Sequence, residues 1–210
     1  MKLHGYFRSG ASYRTRIALN LKGVQTEHVF HHLQRGEQLS PDYLRLNPQG
    51  LVPALELDDG AVLTQSLAII EWLEETYPAP ALLPLEPLRR AQVRAFAYSV
   101  AIDIHPIQNL RVLKQVRDLV GTPEAGDDWA RGINERGLRA CEALIRDEPG
   151  PYCFGAAPTL ADVCLIPQMA SARRFGADLG GLTRLLAIED ACSRLEAFAA
   201  AAPARQPDAE

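Results

Sequence analysis

Long hydrophobic runs are missing from this 210-residue chain, and no segment approaches the roughly twenty consecutive apolar residues that a bilayer-spanning helix needs. Cysteine is scarce. The four present, Cys141, Cys153, Cys164 and Cys192, lie far apart with no C-x-x-C pair, which excludes a zinc ribbon or a dithiol motif. Free buried thiols in a reducing compartment are expected. Positive charge is not in excess either, since 22 Lys and Arg face 26 Asp and Glu, and the net charge of −4 speaks against a nucleic-acid partner. No charged leader followed by an apolar run opens the chain, so a cytoplasmic protein without membrane association is expected. Repeats and low-complexity segments are lacking. What remains, 47% hydrophobic and 23% charged residues, is the composition of a globular protein of one or two domains.

What is present is organised around residues 8–19, Arg-Ser-Gly-Ala-Ser-Tyr-Arg-Thr-Arg-Ile-Ala-Leu. Residues 2–7 are short and mostly apolar or aromatic, as a strand feeding a turn is, and Ser9, Gly10 and Ser12 form a small-residue loop with hydroxyl caps. Ile17, Ala18 and Leu21 then recur at helical spacing. A strand, a tight turn and a helix start leave several backbone N–H groups pointing at one spot, where the helix dipole favours negative charge. Such a spot suits a thiolate or a carboxylate. Arg8 and Arg14 add positive charge beside the two serine hydroxyls.

Downstream, the first third alternates strand and helix signals and the rest is helical. The first helix stops at Gly23, and residues 26–30 read as a second strand, a βαβ beginning. Ser40-Pro41 opens a short helix that closes at 47–50. Asp58-Asp59-Gly60 turns a hairpin between 54–57 and 61–63, with Pro53 at the strand start because it cannot donate to a ladder. A cis bond at Pro53 would be a deliberate feature. Residues 65–77 form an amphipathic helix, and the proline-rich 77–84 marks a domain boundary. Beyond it the pattern predicts one long helix over 87–114, bent at Pro106, then a polar loop over 121–128. Further helices are expected over 129–146, 159–172 (disturbed at Pro167) and 189–200, with a loose tail from 203.

Thr159 and Asp162 have the spacing of a capping box, a structural role. His28, His31 and His32 lack the acid or thiol spacing of a metal site, and solvated strand-end histidines are expected. His105 and Asn109, four apart, would share one face of the longest helix.

These residues carry a resemblance. The thioredoxin-like start, Leu51-Val52-Pro53, Gln65-Ser66 at a helix start and a helical remainder with a Thr-x-x-Asp cap resemble the glutathione transferases. Residues 6–19 resemble the zeta class, which includes maleylacetoacetate isomerase and maleylpyruvate isomerase. The similarity extends over the whole chain through 65–71, 108–114, Arg174-Phe175 and 205–208. It implies an α+β/all-α two-domain fold, with a thioredoxin-like glutathione-binding domain over 1–80 and an all-helical substrate-binding domain over 87–210. It also implies a homodimer, paired between the first domain of one subunit and the 87–114 helix of the other.

By that resemblance glutathione is the cofactor and Ser9 stabilises its thiolate. Gly10, Ala11, Ser12 and Arg14 complete the turn, with Gly10 and Ala11 standing where the class pattern Ser-Ser-Cys-Ser has its second serine and its cysteine. Gln65 and Ser66 match residues that hold the γ-glutamyl end, and a helix start favours that carboxylate. Val52 matches the residue whose backbone pairs with the cysteinyl part, held by a cis Pro53. Gln38, His105, Asn109, Leu110 and Arg111 fall on further positions around the glutathione site, His105 replacing a glutamine of the class. Arg8 and Arg174 are the expected clamps for a dianionic acid, since guanidinium binds carboxylate bidentately. Arg174 is singled out by the resemblance alone. No metal is expected.

The implied activity is glutathione-dependent cis–trans isomerisation of a maleyl keto acid, maleylpyruvate or maleylacetoacetate, to its fumaryl isomer in aromatic-compound or tyrosine catabolism. The alternative is a transferase or dehalogenase that consumes glutathione on small electrophilic or α-halo acids. A third reading, a non-enzymatic glutathione-binding module, is disfavoured by the retention of Ser9 and Arg8.

Overall fold

The computed structural model describes residues 1–210, which divide into two compact units: Met1–Ala81 with Leu195–Glu210, and Leu82–Arg194. The first unit is built on a four-stranded sheet in the order β2-β1-β3-β4, from β1 (Lys2–Gly5), β2 (Glu27–Phe30), β3 (Ala54–Glu56) and β4 (Val62–Thr64). β1 pairs parallel with β2, Leu3 opposite His28, and antiparallel with β3, Leu3 opposite Leu55. A parallel pair needs a crossover, and helix α1 (Gly10–Lys22) supplies it. α1 stops at Gly23, whose φ of 66° would strain a residue with a Cβ. Ser40 caps α2 (Pro41–Leu46), with Pro41 in the first helical position. The Val52–Pro53 peptide is cis, and Pro53 precedes β3, where its missing N–H removes no ladder bond. The hairpin at 58–60 forms as expected, with the Ala61 amide donating to Asp59 Oδ1 at 2.9 Å. Ile17 and Ala18 of α1 and Ile69, Ile70 and Leu73 of α3 (Ser66–Thr76) are buried where the two helices pack.

The second unit is helical, and here the structure corrects the sequence reading. No continuous helix runs over 87–114. Helix α4 (Pro87–Tyr98) passes into a π-helical turn at Ser99–Ile104, where the His105 amide bonds to the Val100 carbonyl at 2.9 Å. A 3₁₀ turn at Pro106–Gln108 follows, and Asn109 leaves helical geometry (φ −76°, ψ 164°) to cap α5 (Leu110–Val120). Pro106 has no N–H to extend the ladder, so the chain restarts instead of bending. α6 (Ala125–Leu144) begins within the segment read as a polar loop. α7 (Leu160–Arg174) carries the capping box: the Thr159 amide donates to Asp162 Oδ2 at 2.8 Å, and the helix continues through Pro167.

The last helix expected, over 189–200, is two. α8 (Thr183–Ser193) closes the second unit, and α9 (Glu196–Ala199) lies in the first, packed against α1. Leu195–Glu210 thus groups with the sheet and not with the helices before it, unlike the 87–210 extent expected for the helical domain. Nor is the end a loose tail. Gln206 is buried and donates to the Ala200 and Ala202 carbonyls at 2.8 and 3.1 Å, and Asp208 accepts the Phe7 amide at 3.0 Å. Local pattern in a short polar segment carries no signal of such distant partners.

Candidate active site

The candidate residues fall in two groups, one in each unit. In the first unit, the turn from β1 into α1 is held by the Ser9 amide donating to the Tyr6 carbonyl at 3.0 Å. Ser9 is the cap of α1, and its Oγ accepts the Ser12 amide at 3.2 Å. A hydroxyl that accepts there still has its own proton to donate outward. The Gly10 and Ala11 amides, in the first turn of α1, have no intrahelical acceptor. No acidic side chain occupies that turn. One O–H and two N–H donors therefore converge at the positive end of a thirteen-residue helix.

Arg8 is half-buried. Its Nη2 donates to the Tyr6 hydroxyl at 3.1 Å and its guanidinium stacks 5.0 Å from the Phe7 ring centre, which fixes its direction and leaves other N–H groups for a ligand. Arg14, read from the sequence as adding positive charge beside the serine hydroxyls, is 2% exposed, and Ser12 is fully buried. The helix turns both side chains inward.

Gln65 and Ser66 open α3. Gln65 is exposed and takes φ 66°, the one positive φ outside glycine, which costs a residue with a Cβ on the order of 1 kcal/mol or more. Its side chain donates to Gln49 Oε1 at 2.8 Å and makes no capping bond, so the first amides of α3 keep their donors for an outside acceptor. Gln49 was absent from the sequence reading, and a turn residue offers no signal for it. Val52 stands before the ladder begins at Ala54, and the Leu51 carbonyl is held by the Tyr43 hydroxyl (2.6 Å) and Asn47 Nδ2 (2.7 Å). Burial pushes the Tyr43 pKa up to about 12, against a hydrogen bond with Asn47 that lowers it. Gln38 presents a buried Oε1 with no donor.

In the second unit, His105 and Asn109 do not share a helix face, because the chain leaves the helix between them. His105 ends the π-helical turn, and Asn109 Oδ1 accepts the Val112 amide at 3.3 Å. Leu110 and Arg111 are exposed in the first turn of α5. At the end of α7 two arginines behave differently. Arg173 pairs with Glu189, whose hydrogen bonds raise its pKa, whereas exposed Arg174 lies over the Phe175 ring at 4.6 Å.

The expectation of solvated strand-end histidines is also revised. His31 is not simply solvated: its Nε2 is 2.9 Å from His4 Nδ1, and burial, then the neighbouring His4, lowers its pKa. His32 Nε2 meets Glu210 Oε1 at 3.0 Å. The four cysteines are free and buried, and burial raises the thiol pKa of Cys141 (to about 12), Cys153 and Cys192, so these three offer no ready thiolate.

A four-stranded sheet whose first βα turn presents such donors, beside a cis-proline loop, defines a thioredoxin-like, thiol-handling protein. The glutathione S-transferase N-terminal domain family model matches residues 8–76. The chain is 52% identical over 212 residues to a maleylpyruvate isomerase from a Ralstonia species, covering 99% of each. It superposes with TM-score 0.97 and 50% identity, covering 100% of both chains, on a holo structure of maleylpyruvate isomerase described as a bacterial glutathione transferase of the zeta class. A maleylacetoacetate isomerase from Methylobacterium extorquens AM1, solved with bound malonate and glutathione, matches with TM-score 0.96 and 42% identity over 100% of both chains. The chain belongs to the glutathione S-transferase family and, within it, to the zeta class.

Proposed function

We propose that this protein isomerises a maleyl keto acid, maleylpyruvate or maleylacetoacetate, to the trans fumaryl acid with glutathione as a regenerated cofactor. The observation that carries the reading is the Ser9 hydroxyl, which accepts from Ser12 and so keeps its proton for a sulfur anion beside the Gly10 and Ala11 amides. The residues present suit the tripeptide. A helix start with uncapped amides at Gln65-Ser66 fits a carboxylate, and the orphaned Gln38 Oε1 fits an amine or amide donor.

Bound glutathione supplies a sulfur nucleophile whose reversible addition turns the cis double bond into a rotatable single bond. An ordinary thiol, with a pKa of about 8.5, is mostly protonated at neutral pH. The donors at the turn favour the anionic form and lower that value. Arg8 and Arg174 bind the substrate carboxylates, and fixed positive charge stabilises the negative charge that develops on the keto oxygen. Val52, Pro53, Gln65, Ser66, Gln38, His105, Asn109, Leu110 and Arg111 hold glutathione, and a homodimer in the cytoplasm is its working state.

The test is an absorbance assay of the purified protein with each maleyl acid, with and without catalytic glutathione, while free thiol is followed. Isomerisation with thiol conserved is expected. Thiol lost in step with substrate would make the protein a conjugating transferase instead. Light scattering checks the dimer.

A further inference from the structure

The turn that carries Ser9 is short of local support. β1 ends at Gly5 and α1 begins at Gly10, so residues 6–9 have neither ladder nor helix to satisfy them, and the bond from the Ser9 amide to the Tyr6 carbonyl closes the turn. Phe7, in the middle, is buried, and its N–H and C=O both need partners that water cannot supply. Both come from charged side chains outside the turn, one of them at the far end of the chain. The Phe7 amide donates to Asp208 Oδ2 at 3.0 Å, across 201 residues of chain. The Phe7 carbonyl accepts from Arg16 Nη2 at 3.0 Å. Arg16, 4% exposed, also donates through Nη1 to the Tyr6 carbonyl at 3.4 Å and through Nε to the Ala201 carbonyl at 3.0 Å. It therefore ties the turn to the same C-terminal segment that bears Asp208.

We propose that the C-terminal segment 200–210 is a strap that positions the thiol-stabilising turn, with Asp208 and Arg16 as its positioning residues. The inference rests on the function proposed above and deepens it, since neither residue touches the reacting atoms. The strap has its own anchorage. Gln206 folds it on itself through the Ala200 and Ala202 carbonyls, and Glu210 reaches out to His32 Nε2. Its charge is balanced as well. A carboxylate near a site meant for an anion would repel that anion, but Arg16 faces Asp208 and offsets its field. Asp208 thus supplies an acceptor for Phe7 without a net negative charge next to Ser9. The Oδ1 of Asp208 is buried and makes no hydrogen bond, so the carboxylate's function here is carried by one oxygen.

The test compares Asp208→Ala, which removes the acceptor, with Asp208→Asn, which keeps an acceptor oxygen and loses the charge. Two readouts serve. The first is amide hydrogen exchange of the peptide covering 6–12 in the ligand-free protein, expected to quicken about tenfold in Asp208→Ala and to return near wild type in Asp208→Asn. The second is the ionisation of the bound glutathione thiol, followed by thiolate absorbance against pH. Its apparent pKa is expected to rise by about one unit in Asp208→Ala, with kcat/KM falling about tenfold at neutral pH. Melting temperature, measured in parallel, is expected to move by only a few degrees. Unchanged exchange and an unchanged thiol pKa in Asp208→Ala would overturn the strap alone. A wild-type protein that leaves the glutathione thiol pKa unshifted would overturn the functional reading, and with it the purpose assigned to the strap.

Discussion

Residues 5–14 and 99–110 both carry candidate site side chains, yet they are shaped by different forces. In the first stretch the deciding contacts of the helix start are local: Ser9 caps an amide three residues on, and small residues make the turn. In the second, the apolar periodicity runs on past Pro106 while the backbone does not. What holds that stretch is a buried amide cluster. Asn134 of α6 donates to Gln108 Oε1 at 2.7 Å and accepts from Gln168 Nε2 of α7 at 2.6 Å, all three side chains being buried. Gly137 of α6 leaves room for Ile104 of the π-helical turn, where a Cβ would lie 2.4 Å from its Cδ1. A cap is a bargain between neighbours in sequence. A helix break of this kind is set by helices that arrive later in the chain.

The largest expected effect tests the local stretch. Ser9→Ala should lower kcat/KM by about 10²–10³-fold, the scale for losing one donor to a developing anion. It should also cost about 1 kcal/mol of stability through the lost cap. Steady-state isomerase kinetics and a denaturant melt read the two separately. A variant that lost stability but kept its rate would reduce the turn to a mere helix start.

The non-local stretch is tested by Asn134→Ala, which strands buried amide groups on Gln108 and Gln168. A loss of about 2–4 kcal/mol is expected, since each abandoned buried polar group costs about 1–3 kcal/mol. The denaturation midpoint measures it. A loss below about 1 kcal/mol would mean that Pro106 and Asn109 alone hold the break.

A smaller effect is expected where both forces meet. Gln65→Gly relieves a positive φ and should gain about 1 kcal/mol of thermal stability, while the KM for glutathione rises severalfold. A destabilised variant, or an unchanged KM, would show that the Gln65 backbone is neither strained nor part of the binding site.

The smallest effect is in pH dependence. His28 and His31, both in the first unit, have lowered pKa values, each chiefly through burial. A histidine whose folded pKa is depressed binds its proton more readily when unfolded. Its contribution to stability is therefore complete above the unfolded value of about 6.5 and is lost as pH falls through the folded one. The wild-type melting temperature should fall as pH drops below about 6.5, and His31→Gln should fall less steeply. Equal slopes would remove His31 from the account.

Much of the first unit was legible. Ser9, Gly23, Ser40-Pro41 and the 58–60 turn, like the Thr159–Asp162 box of the second unit, act over a few residues, and each stands where its local rule put it. The candidate site was legible mainly through family resemblance. Arg174 shows this, since nothing in the chain's own pattern separates it from Arg173. Helix limits in the second unit were read less well, because single π and 3₁₀ turns are too short to interrupt an apolar pattern while they change the hydrogen-bond ladder.

By itself, then, the sequence determined the strand–turn–helix that gathers anion donors, the caps and stops of most helices, and the class to which the chain belongs. The tertiary structure alone decided that Arg14 and Arg16 are buried, that Gln65 takes a left-handed backbone, that the 87–114 stretch breaks, and that residues 195–210 return to the sheet. The physical reason is range. Capping and turn formation pair groups a few residues apart, whereas a buried backbone amide such as that of Phe7 takes its partner from wherever the fold brings one, here 201 residues away.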